Sequence, residues 1–154
     1  MRGDGHAHAR QLHGYLQAVT AMKDDGSLFL CAYLGPIAPQ SAFDALCRVL
    51  KIQPDGMRLQ PIESMVCSGA LYTPRQWLLE RMLPMSEADR QPLDARLYDG
   101  FEGELAELLG SDPRWYQLVS SGQRSLAAQL GAIWSVFVFG TECHAYVMHC
   151  SWDR

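Results

Sequence analysis

The longest apolar run in this chain, Leu28 to Leu34, is far shorter than the roughly 20 residues a membrane-spanning helix needs. The opening stretch Met1 to Arg10 has no apolar segment of the kind a secretory leader carries. Cysteine is sparse. Cys31, Cys47, Cys67, Cys143 and Cys150 are dispersed, odd in number and mostly set in apolar surroundings, whereas a disulfide framework is denser and even-numbered. A cytoplasmic protein with no membrane association is the expectation. Catalytic signatures are missing too: there is no GxSxG, GxGxxG, GxxxxGK(S/T) or HExxH, which leaves the motif-bearing hydrolases, dinucleotide enzymes and phosphate-loop proteins without support. No internal repeat, low-complexity tract or linker divides the chain.

What is present is an ordinary globular composition. The 154 residues are 48% apolar and 19% charged, enough for one domain with a core of normal size. Net charge is −4, but its placement is uneven. Ser86 to Asp112 holds Glu87, Asp89, Asp94, Asp99, Glu102, Glu104, Glu107 and Asp112 against only Arg90 and Arg96, a local net of −6, and the remainder is net positive by 2. Nucleic-acid binders cluster the opposite sign, so direct nucleic-acid binding is disfavoured. An acidic stretch is either a solvated helix face or a surface that steers a basic partner.

Periodicity predicts interleaved helices and strands. Residues 1–9 read as a flexible tail ahead of a single domain over 10–154. Leu12, Tyr15, Leu16 and Val19 mark a helix from Arg10 to Lys23, stopped by Asp24-Asp25-Gly26. Ser27 to Leu34 is a strand apolar on both sides, which predicts a place inside a sheet. A helix from Gln40 to Lys51 follows, then strand pieces between Met57 and Tyr72. Thr73-Pro74 pairs a capping hydroxyl with proline at the first helical position and opens a helix bearing Trp77, Leu78, Arg81 and Met82 that ends before Pro84. Leu93 to Leu109 is an acidic helical region interrupted by Gly100 and Gly103. Asp112-Pro113 repeats the cap-plus-proline signal and predicts a short helix carrying Trp115, Leu118 and Val119; Arg124 to Leu130 adds a further helical turn or two. The fold class expected is α+β, a mixed or antiparallel sheet packed by several helices.

The C-terminal segment is the clearest strand signal. Trp134 to Arg154 contains two β-branched and aromatic runs joined by Gly140-Thr141, where glycine suits the first position of a tight hairpin turn. The second run carries Cys143, His144, His149 and Cys150, all metal-ligand types. Strand geometry separates them: at about 3.3 Å per residue, Cys143 and His149 share a face but lie about 20 Å apart, as do His144 and Cys150 on the other. Zinc requires closely spaced ligand pairs, so neither a metal nor any other cofactor is expected. Cys67, in Val66-Cys67-Ser68-Gly69, sits where a strand meets a turn and would need His144 or His149 as a base to act as a nucleophile. A small enzyme built on such a Cys/His site, or a metal- or ligand-binding domain, is the alternative function. Glu102/Glu104 and Glu104/Glu107 are carboxylate pairs in a polar setting that gives no reason for the pKa separation acid–base catalysis needs.

Leu28-Phe-Leu-Cys-Ala-Tyr-Leu-Gly35-Pro-Ile-Ala-Pro39, with the helix Ala42 to Leu50, resembles the strand–turn–helix of class I type III secretion chaperones. Ser64 to Tyr72 with the helix Thr73 to Leu83 resembles the strands and last helix of that fold. The similarity covers about residues 27–83; the family's strands between first helix and this strand are absent, and the segment after Arg90 has no counterpart. What the resemblance implies is a small acidic protein that holds another protein. Together with the acidic segment, the expected function is non-enzymatic protein binding, by a secretion-chaperone-like or an immunity- or inhibitor-type protein. Its partner would be basic, such as a toxin or secreted effector, and a homodimer is left open. Asp99, Glu102, Glu104, Glu107 and Trp115 are the expected partner-binding residues.

Overall fold

A computed structural model of the chain describes residues 4–63, 73–80, 95–120, 130–131 and 133–152. Its first helix, α1, spans Gly5–Lys23. Ala9, Leu12, Leu16 and Val19, three or four residues apart, are all buried, the stripe the periodicity predicts. Full burial of a leucine such as Leu16, 0% exposed, contributes about 1.5–3 kcal/mol. The helix starts earlier than expected. Asp4 caps it by accepting from the His6 N–H, and Ala9 is already core, so residues 5–9 are helical turns rather than a tail.

Strand β1 spans Ser27–Gly35. After a short 3-10 turn at Pro39–Ser41 comes α2, Phe43–Leu50, whose Ala45, Leu46 and Cys47 are buried. Strand β2 covers Met57–Ile62; the further strand pieces expected up to Tyr72 lie outside the described residues. Helix α3, Pro74–Leu79, has the predicted proline start and a reciprocal capping box between Thr73 and Gln76. It stops at Leu79 because Glu80 is extended, short of the expected end near Pro84; Arg81 and Met82 lie outside the described residues. Helix α4, Arg96–Leu109, runs through both glycines. Gly100 is where α1 comes close: a Cβ there would stand 2.9 Å from the Tyr15 ring.

The sheet is completed by β3 (Arg114–Ser120), β4 (Ile133–Gly140) and β5 (Ala145–Trp152). Its order is β1-β5-β4-β3-β2 and every pairing is antiparallel. One face packs Phe137, Phe139, Tyr146, Met148, Cys150 and Trp152 against α1, α3 and α4. The other packs Val136, Val138 and Val147 under α2 and Leu130. The fold is α+β, with β4 and β5 forming the C-terminal hairpin.

Three local expectations are corrected. The segment after Pro113 is strand β3, not a helix: Trp-Tyr-Gln-Leu-Val suits a pleated surface, and pairing with β2 and β4 on both sides outweighs the capping signal. β1 is an edge strand rather than an interior one, and its outer apolar side chains Leu28 and Leu30 are 58% and 37% exposed. The hairpin turn is not a two-residue loop at Gly140-Thr141. Gly140 pairs with Ala145 as the last residue of β4, and the Thr141 N–H donates to the His144 carbonyl at 3.0 Å to close a four-residue loop. Glycine is needed at 140 because a Cβ would collide with the His144 carbonyl oxygen, not because of a positive φ. The predicted helix near Arg124 lies outside the described residues, apart from buried Leu130.

Candidate functional site

The four metal-type side chains of the hairpin diverge. Cys143 is exposed in the loop. His144 Nδ1 lies 2.7 Å from the Tyr33 hydroxyl, within one hydrogen bond. His149 and Cys150 point to opposite faces of β5. His149 Nε2 donates to the Leu130 carbonyl at 2.8 Å, while Cys150 is fully buried, its thiol pKa pushed up by burial. Among the described residues no group of three or more His, Cys, Asp or Glu is arranged to hold a metal ion. Cys31 is likewise buried, its pKa pushed up to about 12, which keeps the thiol protonated and unreactive. Cys67 lies outside the described residues.

Burial also lowers the pKa of His149, partly offset by the Leu130 carbonyl that its ring donates to. The folded protein therefore disfavours the imidazolium, and the unfolded chain takes up the proton first as pH falls below the ordinary value of 6.5. Stability contributed by neutral His149 is present above that pH and is lost on acidification. Melting temperatures compared at about pH 7.5 and about pH 5.5 should fall less for His149→Gln than for the parent protein. An equal fall in both would show that His149 is not a source of the acid sensitivity.

Trp115 is no surface anchor. It is 6% exposed and stacks on Phe139 with ring centroids 4.8 Å apart, because its β3 position faces the side of the sheet covered by α1, α3 and α4. The acidic residues fare differently. Asp99, Glu102 and Glu107 are exposed on α4 and Glu104 is half-buried. Leu105 and Leu109 are buried and Leu108 is half-buried, so the helix does turn its leucines inward.

Helix α1 separates two clefts of opposite character. On one side, His8 and Gln11 face Glu104, Glu107 and Leu108 of α4 across an open groove of about 550 Å³. On the other, His6, Arg10 and His13 face Cys31 and Tyr33 of β1 across a cleft of about 310 Å³. No acid lines the second cleft among the described residues. The first brings Glu104 and Glu107 together with His8 and Gln11 of α1, distant in sequence; Asp99 and Glu102 lie along α4 but do not line it.

Three features went unread in the sequence. Lys23 is 1% exposed. Its ammonium donates to the Trp77 carbonyl at 2.6 Å, lies 3.5 Å from Asp25 Oδ2, and sits 5.4 Å from the Phe29 ring centroid. The signal was available: Leu12, Leu16, Val19 and Lys23 continue one 4-3-4 stripe. The second is the covering of the β1 edge by α1. Gln17 Nε2 donates to the Phe29 carbonyl at 3.1 Å and His13 Nδ1 accepts the Cys31 N–H at 3.2 Å. Those backbone groups would otherwise offer a template for another strand. The third is Tyr33, which meets His6 edge-on at 5.0 Å and Tyr146 at 5.2 Å between ring centroids. Compared with protein-family models, curated proteins and solved structures, the chain matches none of them.

Proposed function

We propose that this protein is a non-enzymatic binding module whose acidic groove between α1 and α4 holds basic side chains of a protein partner. The observation that carries this reading is the composition of the groove: Glu104 and Glu107, one turn apart, stand beside Leu108 and opposite His8 and Gln11. A lysine or arginine of a partner could lay its aliphatic stem along the leucine and its charged end between the carboxylates. Asp99 and Glu102, exposed on the same helix, extend the negative field and would raise the rate of encounter with a basic surface. A secretion-chaperone-like or an immunity-type protein that masks a basic toxin fits this chemistry, and the strand–turn–helix of β1 and α2 belongs to the resemblance that suggested it.

The test is association kinetics with a basic protein partner recovered from the native host. Changing Glu102, Glu104 and Glu107 together to Gln should slow association by about tenfold or more at low salt. The melting temperature should move little, since Glu102 and Glu107 are exposed and Glu104 is only half-buried, and charges in contact with water contribute little to stability. Raising ionic strength should slow the parent protein and narrow the gap, because screening sets in over about 8–10 Å at physiological salt. A partner that binds both proteins at one salt-independent rate would remove the groove from consideration.

A further inference from the structure

Strand β1 ends the sheet, and its sequence Ser-Leu-Phe-Leu-Cys-Ala-Tyr-Leu-Gly holds no charged residue and no proline. Such residues, or a cover, are what keep an edge from pairing with another strand. Here the cover comes from α1. Gln17 Nε2 donates to the Phe29 carbonyl at 3.1 Å, and His13 Nδ1 accepts the Cys31 N–H at 3.2 Å. The Gln17 amide and His13 Nε2 are themselves hydrogen-bonded at 3.2 Å, so the two side chains act as one cap. A backbone N–H can only donate, so the cap needs a lone pair on His13 Nδ1. An imidazolium carries N–H donors on both nitrogens and cannot accept. His6 and Arg10 of α1 and Cys31 and Tyr33 of β1 are the titratable and charged groups that share a cleft with His13. None of them is a carboxylate, so nothing in the cleft holds an imidazolium in place, and Arg10 repels it.

We infer that His13 is a pH-dependent guard of this edge, and that its protonation lets a second copy of this chain pair β1 against β1. The two capped groups are a carbonyl and an N–H two residues apart on the side of the strand turned away from β5. An antiparallel pairing centred on Leu30 sets Phe29 opposite Cys31 of the second copy, and such a pair exchanges both of its N–H···O=C bonds. The groups that His13 and the exposed Gln17 let go therefore satisfy one another across a two-fold axis. The same register sets Leu30, 37% exposed, against its own counterpart and Leu28, 58% exposed, against Ala32. Exposed apolar surface is covered and no charge meets a like charge. This edge does not involve the acidic groove and stands without it.

The experiment is sedimentation velocity of the full chain at fixed ionic strength, at about pH 7.5 and about pH 5.5, which bracket the range where histidine changes charge. The parent protein should be monomeric at the higher pH, and its self-association should strengthen by about tenfold or more at the lower. His13→Asn keeps an acceptor and has no titrating ring, so it should stay monomeric at both. His13→Lys offers only donors and should associate already at the higher pH, where acid unfolding plays no part. Net charge falls toward zero near the isoelectric point of about 5.7 in parent and variants alike, so the difference between them is the result to read. Leu30→Lys, at an exposed position, sets two like charges directly opposite one another in the proposed register and should abolish the acid response. A parent with the same mass at both pH values, an equal acid response in His13→Asn, or a monomeric His13→Lys overturns the guard. Association that Leu30→Lys leaves intact overturns the pairing through β1.

Discussion

Val138→Asp should leave no folded protein to purify. Val138 is 0% exposed on β4, the middle strand of five. It pairs with Val147 on one side and Tyr116 on the other, and it belongs to the core beneath α2. A carboxylate there has apolar neighbours on its face of the sheet, and burying an unpaired charge is among the few single changes that cost more than about 4–5 kcal/mol. That is comparable with the whole stability of an ordinary domain. The control is Val138→Ala, which removes roughly two CH₂ equivalents and should cost about 2 kcal/mol while keeping the fold. Circular dichroism melts of the soluble fractions separate the two. A soluble Val138→Asp variant with a normal cooperative transition would mean that β4 is not where it is described.

Lys23→Ala should be the next most damaging change, at about 3–5 kcal/mol, the cost of breaking one side of a buried ion pair. Asp25, with 6% of its side chain exposed, would lose the ammonium 3.5 Å away, and the Trp77 carbonyl would lose its donor. Lys23→Met should cost less, because it keeps most of the stem packed beside Phe29. The two variants together separate packing from charge. The pH dependence supplies a second readout. Burial lowers the Lys23 pKa against the opposing pull of Asp25. Between that lowered value and the ordinary 10.5 the unfolded chain holds more protons, so this residue's contribution makes stability rise with pH. Buried Cys31, Cys150, Tyr98 and Tyr146, whose pKa values are raised, pull the opposite way. The quantity to measure is therefore the difference in stability between the parent and Lys23→Met as pH rises from neutral. A constant difference would mean that Lys23 carries no shifted proton equilibrium.

Such a lysine also marks how far pattern reading reached. The stripe Leu12, Leu16, Val19 located the buried face of α1, and the same spacing extended to Lys23 would have placed the charge in the core. Lysine is almost never fully buried without a partner, and the partners here come from Asp25 next to the helix and from Trp77, 54 residues away. Trp115 failed for a related reason: an aromatic after a proline is equally at home on a helix surface or in a strand, and only β2 and β4 on either side of it settle the matter. The candidate site was legible by half. Glu104 and Glu107 were readable as neighbours on one helix, but the facing wall of His8 and Gln11 was not, since nothing local says that α1 lies against α4.

The chain by itself determined whatever depends on near neighbours. Apolar spacing set the inner faces of α1 and α4, Thr73-Pro74 set the start of α3, and the β-branched and aromatic runs after Trp134 set two strands buried on both sides. The tertiary structure decided the order of strands, which leaves β1 at an edge with Leu28 and Leu30 exposed, and it turned the Pro113 segment into β3. It also decided that Gly140 serves a close approach to the His144 carbonyl, and that α1 divides an acidic groove from a donor-lined cleft. Helical and strand periods are properties of a few consecutive residues, whereas sheet order, edges and clefts are contacts between residues distant in sequence. Their free energy is gained only once the whole chain has closed on itself.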